Sequence, residues 1–274
     1  MTKMESLKTP NTQGDINCPY LTEKDITVII PVYNSEKTIL TALDSVYNQI
    51  ARPKTIIIIN DGSDDNTEAK CIEWKQNHSD IDFELVSISN EGASNARNVG
   101  IKRTTTKLIA FLDSDDSWEP DKIQKQLAFF NKSSESACNL VCSGSNLRPT
   151  DDKIYTISKK QLLLRNLIVT SSVLVKTEII KRYLFNTRLR RSEDYNLWLK
   201  IASNDKGIFL INSSLTNYSV DVSPNKLSNN LKKFELDELK NFKLLFKEHY
   251  ISFFEYSVSS CFSLIKYIRR GIIK

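Results

Sequence analysis

The fold is decided by one stretch, Lys107-Leu-Ile-Ala-Phe-Leu-Asp-Ser-Asp-Asp-Ser-Trp118, which joins a short apolar run to a cluster of carboxylates. The run from Leu108 to Leu112 predicts a strand buried on both faces, as in a parallel sheet. Carboxylates at the end of a buried strand repel one another and resist desolvation, and a divalent cation such as Mg²⁺ or Mn²⁺ would remove both costs. The alternative is a solvated acidic turn with an Asp cap for a helix starting near Pro120, and the stretch alone favours neither.

Three earlier runs predict strands of the same kind, at residues 26–32, 54–60 and 83–88. The first is followed by a helical pattern that Asn34 or Ser35 can cap, and residues 93–103 form another. Strands alternating with helices of this length predict βαβ units and an α/β fold with a mostly parallel central sheet. After Trp118 the pattern loosens. It predicts strands at 139–143, 170–175, 206–211 and 215–220, and helices at 120–130, 177–183 and 193–202, the last capped by Ser192.

The net charge of +5 at pH 7 lies in the C-terminal part of the chain. Residues 226–274 hold ten Lys or Arg and five Asp or Glu, a difference of +5, so the preceding body is neutral. Nucleic-acid binding by the body therefore has no electrostatic support. Five scattered Cys indicate reduced thiols in a cytoplasmic protein. Residues 1–24 predict a flexible leader without the apolar region of a signal peptide.

Residues 223–274 predict a basic, amphipathic helical tail. Apolar side chains recur in it near helical spacing, with lysines between them: Leu239, Phe242, Leu245, Phe246, Phe253 and Phe254. Helices of this kind often lie on anionic membrane surfaces, so one interpretation is a peripheral protein on the inner face of the cytoplasmic membrane. The other is a helix packed back on the protein or on a second subunit. No uncharged apolar stretch in the sequence has the length of a membrane-spanning helix.

Three loops follow the first, second and fourth predicted strands: Pro31-Val-Tyr-Asn34, Asn60-Asp-Gly-Ser-Asp-Asp65 and Asp113-Ser-Asp-Asp116. We expect them to converge, because the carboxyl ends of parallel strands share one edge of the sheet. Tyr33 can stack there on a base, and Asp61 can accept from a base N–H or a ribose hydroxyl. Taken singly, Tyr33 is more simply a surface aromatic and Asp61-Gly62 an ordinary turn. Together the loops indicate a nucleotide site with a metal.

Five segments, in order and in spacing, resemble family-2 glycosyltransferases. They are Ile29-Ile-Pro-Val-Tyr-Asn34, Ile59-Asn-Asp-Gly-Ser63, Asn90-Glu-Gly-Ala-Ser-Asn-Ala-Arg-Asn-Val-Gly100, Phe111-Leu-Asp-Ser-Asp-Asp116 and Arg191-Ser-Glu-Asp-Tyr-Asn-Leu-Trp-Leu-Lys200. The resemblance covers about residues 25–220. It implies the GT-A fold, with a nucleotide-binding half at 25–118 and an acceptor-binding half at 119–222 of one catalytic domain.

The resemblance also implies a reaction. Such enzymes move a sugar with inversion from a nucleotide-sugar to a hydroxyl, and a divalent cation assists. The donor would be a UDP-hexose or UDP-N-acetylhexosamine, and the acceptor a glycan or lipid-linked saccharide. This is the chemistry of bacterial surface-polysaccharide synthesis, such as that of O-antigen or capsule.

Particular residues acquire expected roles from the same resemblance. Pro31, Tyr33 and Asp61 would hold uracil and ribose, and Arg97 would lie near the base or the phosphates. Asp113 would contact the ribose or the metal. Manganese or magnesium would be bound by Asp115 with Asp113.

The last segment carries the expected catalytic pair. Asp194 would be the general base, with Glu193 supporting it. Without the other segments, these two carboxylates are explained as well by an acidic first turn that complements the helix dipole.

The sequence departs from the family in two places. Position 60 is Asn where many members carry Asp, which we expect to change a supporting hydrogen bond. Ser219 and Asp221 stand where many members carry Arg and His in a segment that closes over the pyrophosphate, and Lys226 is a possible substitute.

Two other classes of function agree less well with the sequence. A catalytically silent nucleotide-sugar-binding or scaffold protein on the same fold is the alternative, and the intact Asp115 and Asp194 argue against it. A dehydrogenase is disfavoured because no Gly-x-Gly-x-x-Gly follows the first strand.

Overall fold

The computed structural model of the protein describes residues 20–133, 137–219 and 231–272. Of the leader expected at residues 1–24, only residues 20–24 fall in this range. Leu21 exchanges two hydrogen bonds with the side chain of Asn131, at 2.9 and 2.8 Å, so the chain is attached to the body from that point.

Strands and helices alternate through most of the described chain. The strands are β1 (Ile26–Val32), β2 (Thr55–Asn60), β3 (Asp82–Ser87), β4 (Leu108–Phe111), β5 (Ser117–Trp118), β6 (Leu140–Ser145), β7 (Ile154–Thr156), β8 (Leu174–Lys176) and β9 (Ile208–Asn217). The helices are α1 (Ile39–Tyr47), α2 (Thr67–Asn77), α3 (Ala93–Arg103), α4 (Lys122–Lys132), α5 (Lys159–Leu164), α6 (Thr177–Tyr183), α7 (Glu193–Asn204), α8 (Leu231–Lys247) and α9 (Phe253–Ile272).

These strands form one central sheet in the order β3-β2-β1-β4-β8-β6-β9-β5, with β7 also paired to β9. Pairing is parallel across β3, β2, β1 and β4, which confirms the predicted βαβ half. Beyond β4 the sheet is mixed, because β8 runs antiparallel to both β4 and β6 while β6 and β9 are parallel. All of β1 is buried, as expected of a strand covered on both faces. The carboxyl ends of β1, β2 and β4 therefore share one edge.

Alternate side chains of the sheet enter different apolar clusters. Val28 and Ile30 belong to a cluster shared with α1, α2 and α4. Ile29 and Phe111 belong to a second cluster, shared with α3, α6, α7 and α8. Helices α3 and α7 thus pack on the same face of the sheet, which places their first turns near each other above its edge.

Some predicted boundaries are wrong. Helix α1 begins at Ile39, not directly after Asn34 or Ser35, because the Ser35 carbonyl accepts from the Thr38 and Ile39 N–H groups in a turn. Ser192 makes no capping hydrogen bond, since its backbone is left-handed at φ 60° rather than extended.

The strands of the second half also differ from the prediction. Residues 170–172 form a 3-10 turn, which leaves only β8 of the strand predicted at 170–175. The two closing strands predicted after residue 205 are one continuous strand, β9. The short elements β5, β7 and α5 were not predicted.

The predicted helical tail is present as α8 and α9, and the two helices differ in which side they bury. Helix α8 packs its apolar side inward: Phe242 and Leu245 are buried, and the Phe242 ring lies 5.8 Å from that of Tyr195. Helix α9 buries Ser259 and Ser263 instead. Its apolar side chains face outward: Phe253, Phe254, Val258, Phe262, Leu264, Ile265 and Ile268. Within the described ranges, no helix combines the length and hydropathy that crossing a membrane requires.

Candidate active site

The loops at the carboxyl ends of β1, β2 and β4 meet, as predicted. The Asn34 N–H donates to Ser63 Oγ at 3.1 Å, and the Asp64 N–H donates to Asn34 Oδ1 at 3.0 Å. The Ser35 and Ser114 hydroxyls lie 2.7 Å apart, which joins the first loop to the acidic loop. Hydrogen bonds therefore fix the three loops to one another at one edge of the sheet.

The residues expected to bind the nucleoside lie in different surroundings. Pro31 is buried within β1, level with Ile59 of β2. Tyr33 follows β1 and is 49% exposed, so its ring is open to a ligand. Asp61 is 4% exposed, and its two oxygens accept from the Glu91 and Gly92 N–H groups, each at 2.8 Å. Asp61 therefore holds the loop that starts α3.

Asn60 shows what replaces the Asp that many family members carry there. Its amide donates to Glu68 Oε2 at 2.7 Å, and its carbonyl accepts from the Ser63 N–H at 3.1 Å. An Asp at this position could not make the first of these hydrogen bonds, because an ionised carboxylate has no N–H to donate.

The three carboxylates of the acidic loop have separate environments. Asp115 is exposed. Asp116 is buried and accepts from Ser171 Oγ and from the Ser219 N–H, and burial together with Asp113 raises its pKa to about 7. The Asp113 N–H donates to Ser171 Oγ at 3.0 Å. Asp116 thus supports the loop, and Asp113 and Asp115 remain as candidate metal ligands.

This donor set fits a hard cation held jointly with a nucleotide. Among the residues that the structure describes, no group of three or more His, Cys, Asp or Glu side chains is arranged to hold a metal. Mg²⁺ and similar ions are usually bound by one or two carboxylates together with substrate phosphates. Asp113 and Asp115 supply those two carboxylates.

Arg97 joins the acidic loop to the predicted catalytic pair. Its guanidinium lies 2.6 Å from Asp113 Oδ1 and 3.4 Å from Glu193 Oε1, and it also faces the Phe185 ring. Burial opposes its charge, but Asp113 and Glu193 outweigh that effect and raise the pKa of Arg97 above its ordinary value. The residue is 5% exposed, so it bridges the two halves of the chain within the interior.

Glu193 and Asp194 start α7 beside that bridge. Asp194 Oδ2 accepts from the Asn166 amide at 2.9 Å, and Oδ1 accepts from the Tyr195 N–H at 2.6 Å. Burial raises the pKa of Asp194, although these hydrogen bonds and Arg97 oppose the rise. Burial and the neighbouring Asp194 charge raise the pKa of Glu193. The site therefore holds two carboxyl groups that are stronger bases than free ones.

Sequence reasoning missed three residues of this site. Asn166 orients Asp194, and Ser171 binds both Asp113 and Asp116, although neither lies in a recognisable motif. Tyr218 also belongs here: burial, followed by Asp116 and other acidic-site carboxylates, raises its pKa to about 12. For Tyr218 the sequence offered one signal, which is that this aromatic residue directly precedes Ser219, where the sequence departs from the family.

The segment expected to close over the pyrophosphate is only partly described. Ser219 donates its N–H to Asp116 Oδ1 at 2.9 Å, which attaches the segment's start to the acidic loop. Asp221 and Lys226 lie outside the described residues, so their expected roles stay predictions.

Comparison with known proteins identifies the class. The chain matches the family model described as Glycosyl transferase family 2 over residues 27–204, and it therefore belongs to that family. An Escherichia coli relative, the UDP-Glc:alpha-D-GlcNAc-diphosphoundecaprenol beta-1,3-glucosyltransferase WfgD, is 28% identical over 91% of this chain and 94% of its own length.

Other relatives are longer than this chain. An uncharacterised glycosyltransferase of Rickettsia conorii is 34% identical over 68% of this chain. The chain spans between 27% and 31% of the length of this and two further Rickettsia relatives.

Solved structures confirm the fold. S. aureus TarS in complex with UDP-GlcNAc matches with a TM-score of 0.66 at 19% identity, over 81% of this chain and 66% of that one. A Pyrobaculum calidifontis mannosyltransferase in complex with GDP-Man and Mn²⁺ matches with a TM-score of 0.66 at 18% identity, over 85% and 68%. The predicted GT-A fold, a central sheet flanked by helices with a helical C-terminal segment, is therefore confirmed.

Proposed function

We propose that this glycosyltransferase inverts the anomeric carbon of a UDP-sugar as it transfers the sugar to a hydroxyl of a lipid-linked saccharide. The observation that carries the proposal is the Arg97 bridge, which joins Asp113 of the acidic loop to Glu193 beside Asp194. A donor held at the acidic loop is then next to a candidate base. The UDP-GlcNAc complex of TarS and the UDP-Glc donor in the name of the E. coli relative support a UDP-sugar.

Asp194 is the base in this mechanism. It takes the proton of the acceptor hydroxyl while that oxygen forms a bond to the anomeric carbon, on the face opposite the leaving nucleoside diphosphate. The bond between the anomeric carbon and the phosphate oxygen breaks, and its electron pair leaves with UDP. Asn166 and the Tyr195 N–H orient the carboxylate and leave lone pairs for the incoming proton.

Glu193 has a supporting role, because its carboxylate is engaged by Arg97. Asp115 and Asp113 would hold a Mn²⁺ or Mg²⁺ ion, which when bound supplies Lewis-acid stabilisation of the charge that develops on the diphosphate. The Mn²⁺ complex of the archaeal mannosyltransferase supports such an ion. Tyr33 is the exposed ring on which uracil would stack.

The experiment is transfer from a panel of radiolabelled UDP-sugars, with Mn²⁺ or Mg²⁺, to GlcNAc-diphosphoundecaprenol, the acceptor named for the E. coli relative. Asp194→Asn should lower kcat by about 10²–10⁴-fold and leave UDP affinity unchanged, because an amide cannot take the proton. Asp205→Asn, at the opposite end of α7, is the matched control and should keep its activity. Near-parental kcat for Asp194→Asn on an active acceptor would exclude Asp194 as the base.

Product stereochemistry tests the displacement separately. An α-linked donor should give a β-linked product, and the anomeric coupling constant in the NMR spectrum shows which forms. A retained α-configuration would contradict single displacement. Absence of transfer with every donor, together with normal UDP binding, would favour the silent nucleotide-sugar-binding alternative.

Membrane association through the tail is part of the proposal, and we assign it to α9. The apolar side chains of α9 face outward, whereas its Ser259 and Ser263 are buried. Helix α8 has the opposite arrangement, with its apolar side buried. A lipid-linked acceptor and the basic excess of residues 226–274 both suit an anionic bilayer. Sedimentation with phosphatidylglycerol vesicles should show binding that Ile265→Glu with Ile268→Glu removes. If the unchanged protein stays in the supernatant, only the interpretation in which the tail packs on the protein or on a second subunit is left.

A further inference from the structure

Lys122 is a buried lysine that has no part in the proposed mechanism. It starts α4 and is fully buried, and within the described residues it forms no salt bridge. Its Nζ donates to Gln126 Oε1 at 2.8 Å and lies 4.0 Å from the centre of the Trp118 ring. A buried amine without a carboxylate is costly, and an unbranched apolar side chain would avoid that cost, so packing alone does not explain a lysine here.

The amine satisfies the oxygen of a buried amide that has two other bonds to make. Gln126 is fully buried, and its Nε2 donates to the Ser172 carbonyl at 2.8 Å and to the Val141 carbonyl at 3.0 Å. Its Oε1 accepts from Lys122. Without the amine, Gln126 could keep both bonds to carbonyl groups only with Oε1 buried and unpaired, which is unfavourable. Lys122 therefore stabilises the orientation in which Gln126 binds the two carbonyls.

Both partners of the amine bind the same short turn, residues 170–172. Gln126 donates to the Ser172 carbonyl, and Trp118 Nε1 donates to the Ser171 carbonyl at 2.7 Å. Trp118, Gln126 and both serines are buried, so these bonds are shielded from competition with water. The position of the turn therefore depends on two side chains that contact the lysine amine.

The turn in its turn holds the acidic loop through one hydroxyl. Ser171 Oγ accepts from the Asp113 N–H at 3.0 Å and donates to Asp116 Oδ2. Asp113 is a candidate metal ligand, and the place of its backbone decides where its carboxylate can reach. A displacement of Ser171 would therefore displace the ligand.

We infer that Lys122 is a positioning residue for the metal-binding loop, which it holds through the turn at residues 170–172. The inference rests on the proposed function, since it takes Asp113 to be a ligand of the cation. Burial lowers the pKa of Lys122, so its contribution is the hydrogen bond to Gln126 and not a charge that attracts the diphosphate. Replacing residues that orient metal ligands typically weakens metal affinity by about 10–100-fold.

The first measurement is the Mn²⁺-dependent affinity for UDP, determined by calorimetry. Lys122→Met should weaken it by about tenfold or more, while UDP affinity in EDTA stays at the parental value. Lys125→Met is the matched control and should bind as the parent does, because Lys125 is exposed on the same helix and pairs with Asp121 at 2.7 Å. Parental Mn²⁺-dependent affinity in Lys122→Met would overturn the inference.

A second variant tests the same connection from its other end. Gln126→Glu keeps an oxygen for Lys122 but removes the N–H groups that bind the turn, so it should also weaken Mn²⁺-dependent UDP affinity by about tenfold or more. This variant decides the question if Lys122→Met does not fold. Parental affinity in Gln126→Glu would show that the loop does not depend on this connection.

A general loss of stability must be distinguished from a change at the loop. Leu127→Ala creates a cavity on the same helix, so it should lower the free energy of unfolding and yet keep the Mn²⁺-dependent UDP affinity. If Leu127→Ala weakened that affinity as much as Lys122→Met does, the effect of the lysine would be one of stability alone, and the inference would be overturned.

Amide hydrogen exchange in the metal-free protein tests the positioning independently of the proposed function. The Asp113 N–H, bonded to Ser171 Oγ, should exchange about tenfold or more faster in Lys122→Met. The Leu112 N–H, bonded to the Ile29 carbonyl at 3.1 Å, should exchange as in the parent. Parental exchange at Asp113 in the folded variant would overturn the inference. If the parent bound no UDP with Mn²⁺, the metal site of the proposed function would fail, whereas the exchange rates would still decide the role of Lys122.

Discussion

Replacing Arg97 by Met should destabilise the protein far more than the same change at another arginine of α3. Arg97 is buried between Asp113 and Glu193, at 2.6 and 3.4 Å, and Met removes the charge while keeping an unbranched side chain. Two partly buried carboxylates would then be left without the cation between them. Arg103 is the matched control, because it lies on the same helix and pairs with Glu84 at the surface.

The size of the expected loss in unfolding free energy follows from the burial of Arg97. Unit charges about 4 Å apart attract by roughly 4 kcal/mol at an effective dielectric constant of about 20. Desolvation of the guanidinium offsets part of that gain, and removal of one partner of a buried pair typically costs about 3–5 kcal/mol. The side chains of Asp113 and Glu193 keep 29% and 18% exposure, so water screens some of the leftover charge. We expect Arg97→Met to lower the free energy of unfolding by about 3 kcal/mol, and Arg103→Met by under about 1 kcal/mol.

Urea unfolding followed by circular dichroism measures both values, provided that the denaturant slope is unchanged. Adding Glu193→Gln to Arg97→Met should recover part of the loss, because it removes one of the unpaired carboxylates. Equal destabilisation by the Arg97 and Arg103 variants would refute the idea that the buried bridge holds the two halves of the site together.

Three further outcomes are expected. Asp115→Ala should abolish the Mn²⁺-dependent part of UDP affinity measured by calorimetry, and an unchanged affinity would remove Asp115 from the metal site. With rising pH, kcat should increase towards a plateau, since burial raises the pKa of Asp194 above its ordinary value and the base acts only when deprotonated; a profile that is flat across the acidic and neutral range would contradict this. Gly207→Ala should lower the melting temperature more than Gly92→Ala does: both have positive φ, but only at Gly207 would the added carbon lie 2.2 Å from a backbone oxygen.

The first half of the fold was predictable because its signals are local. Strand β1 and helix α3 have the bounds that the sequence predicts, since continuous apolar runs and helical periodicity are set by neighbouring residues, and in the second half helix α6 does so for the same reason. Strand β8 was only partly predictable. It is three residues long and enters the sheet between β4 and β6, so its place depends on pairing partners distant in sequence.

The residues of the candidate site also divide into those that the sequence indicated and those that only the structure shows. The resemblance to family-2 glycosyltransferases was sufficient to select Arg97, Asp113, Glu193 and Asp194, and the structure brings these four together. The sequence could not show that Arg97 spans them, because Glu193 lies 96 residues further along the chain. Asn166 gave no signal at all. A single amide in an irregular segment acquires its role only when folding places it 2.9 Å from Asp194.

One chain of contacts connects the loop after β2 to the proposed catalytic pair, Glu193 and Asp194. Asp61 holds the N–H groups of Glu91 and Gly92, and Gly92, at φ 93°, starts helix α3. One turn later the same helix presents Arg97 to Asp113 and Glu193. A shift of the Asp61 loop would therefore move the guanidinium that fixes the spacing between the acidic loop and α7. Because a misplacement of about 1 Å can cost about 100-fold in rate, Asp61 would matter for transfer even through its positioning of α3 alone.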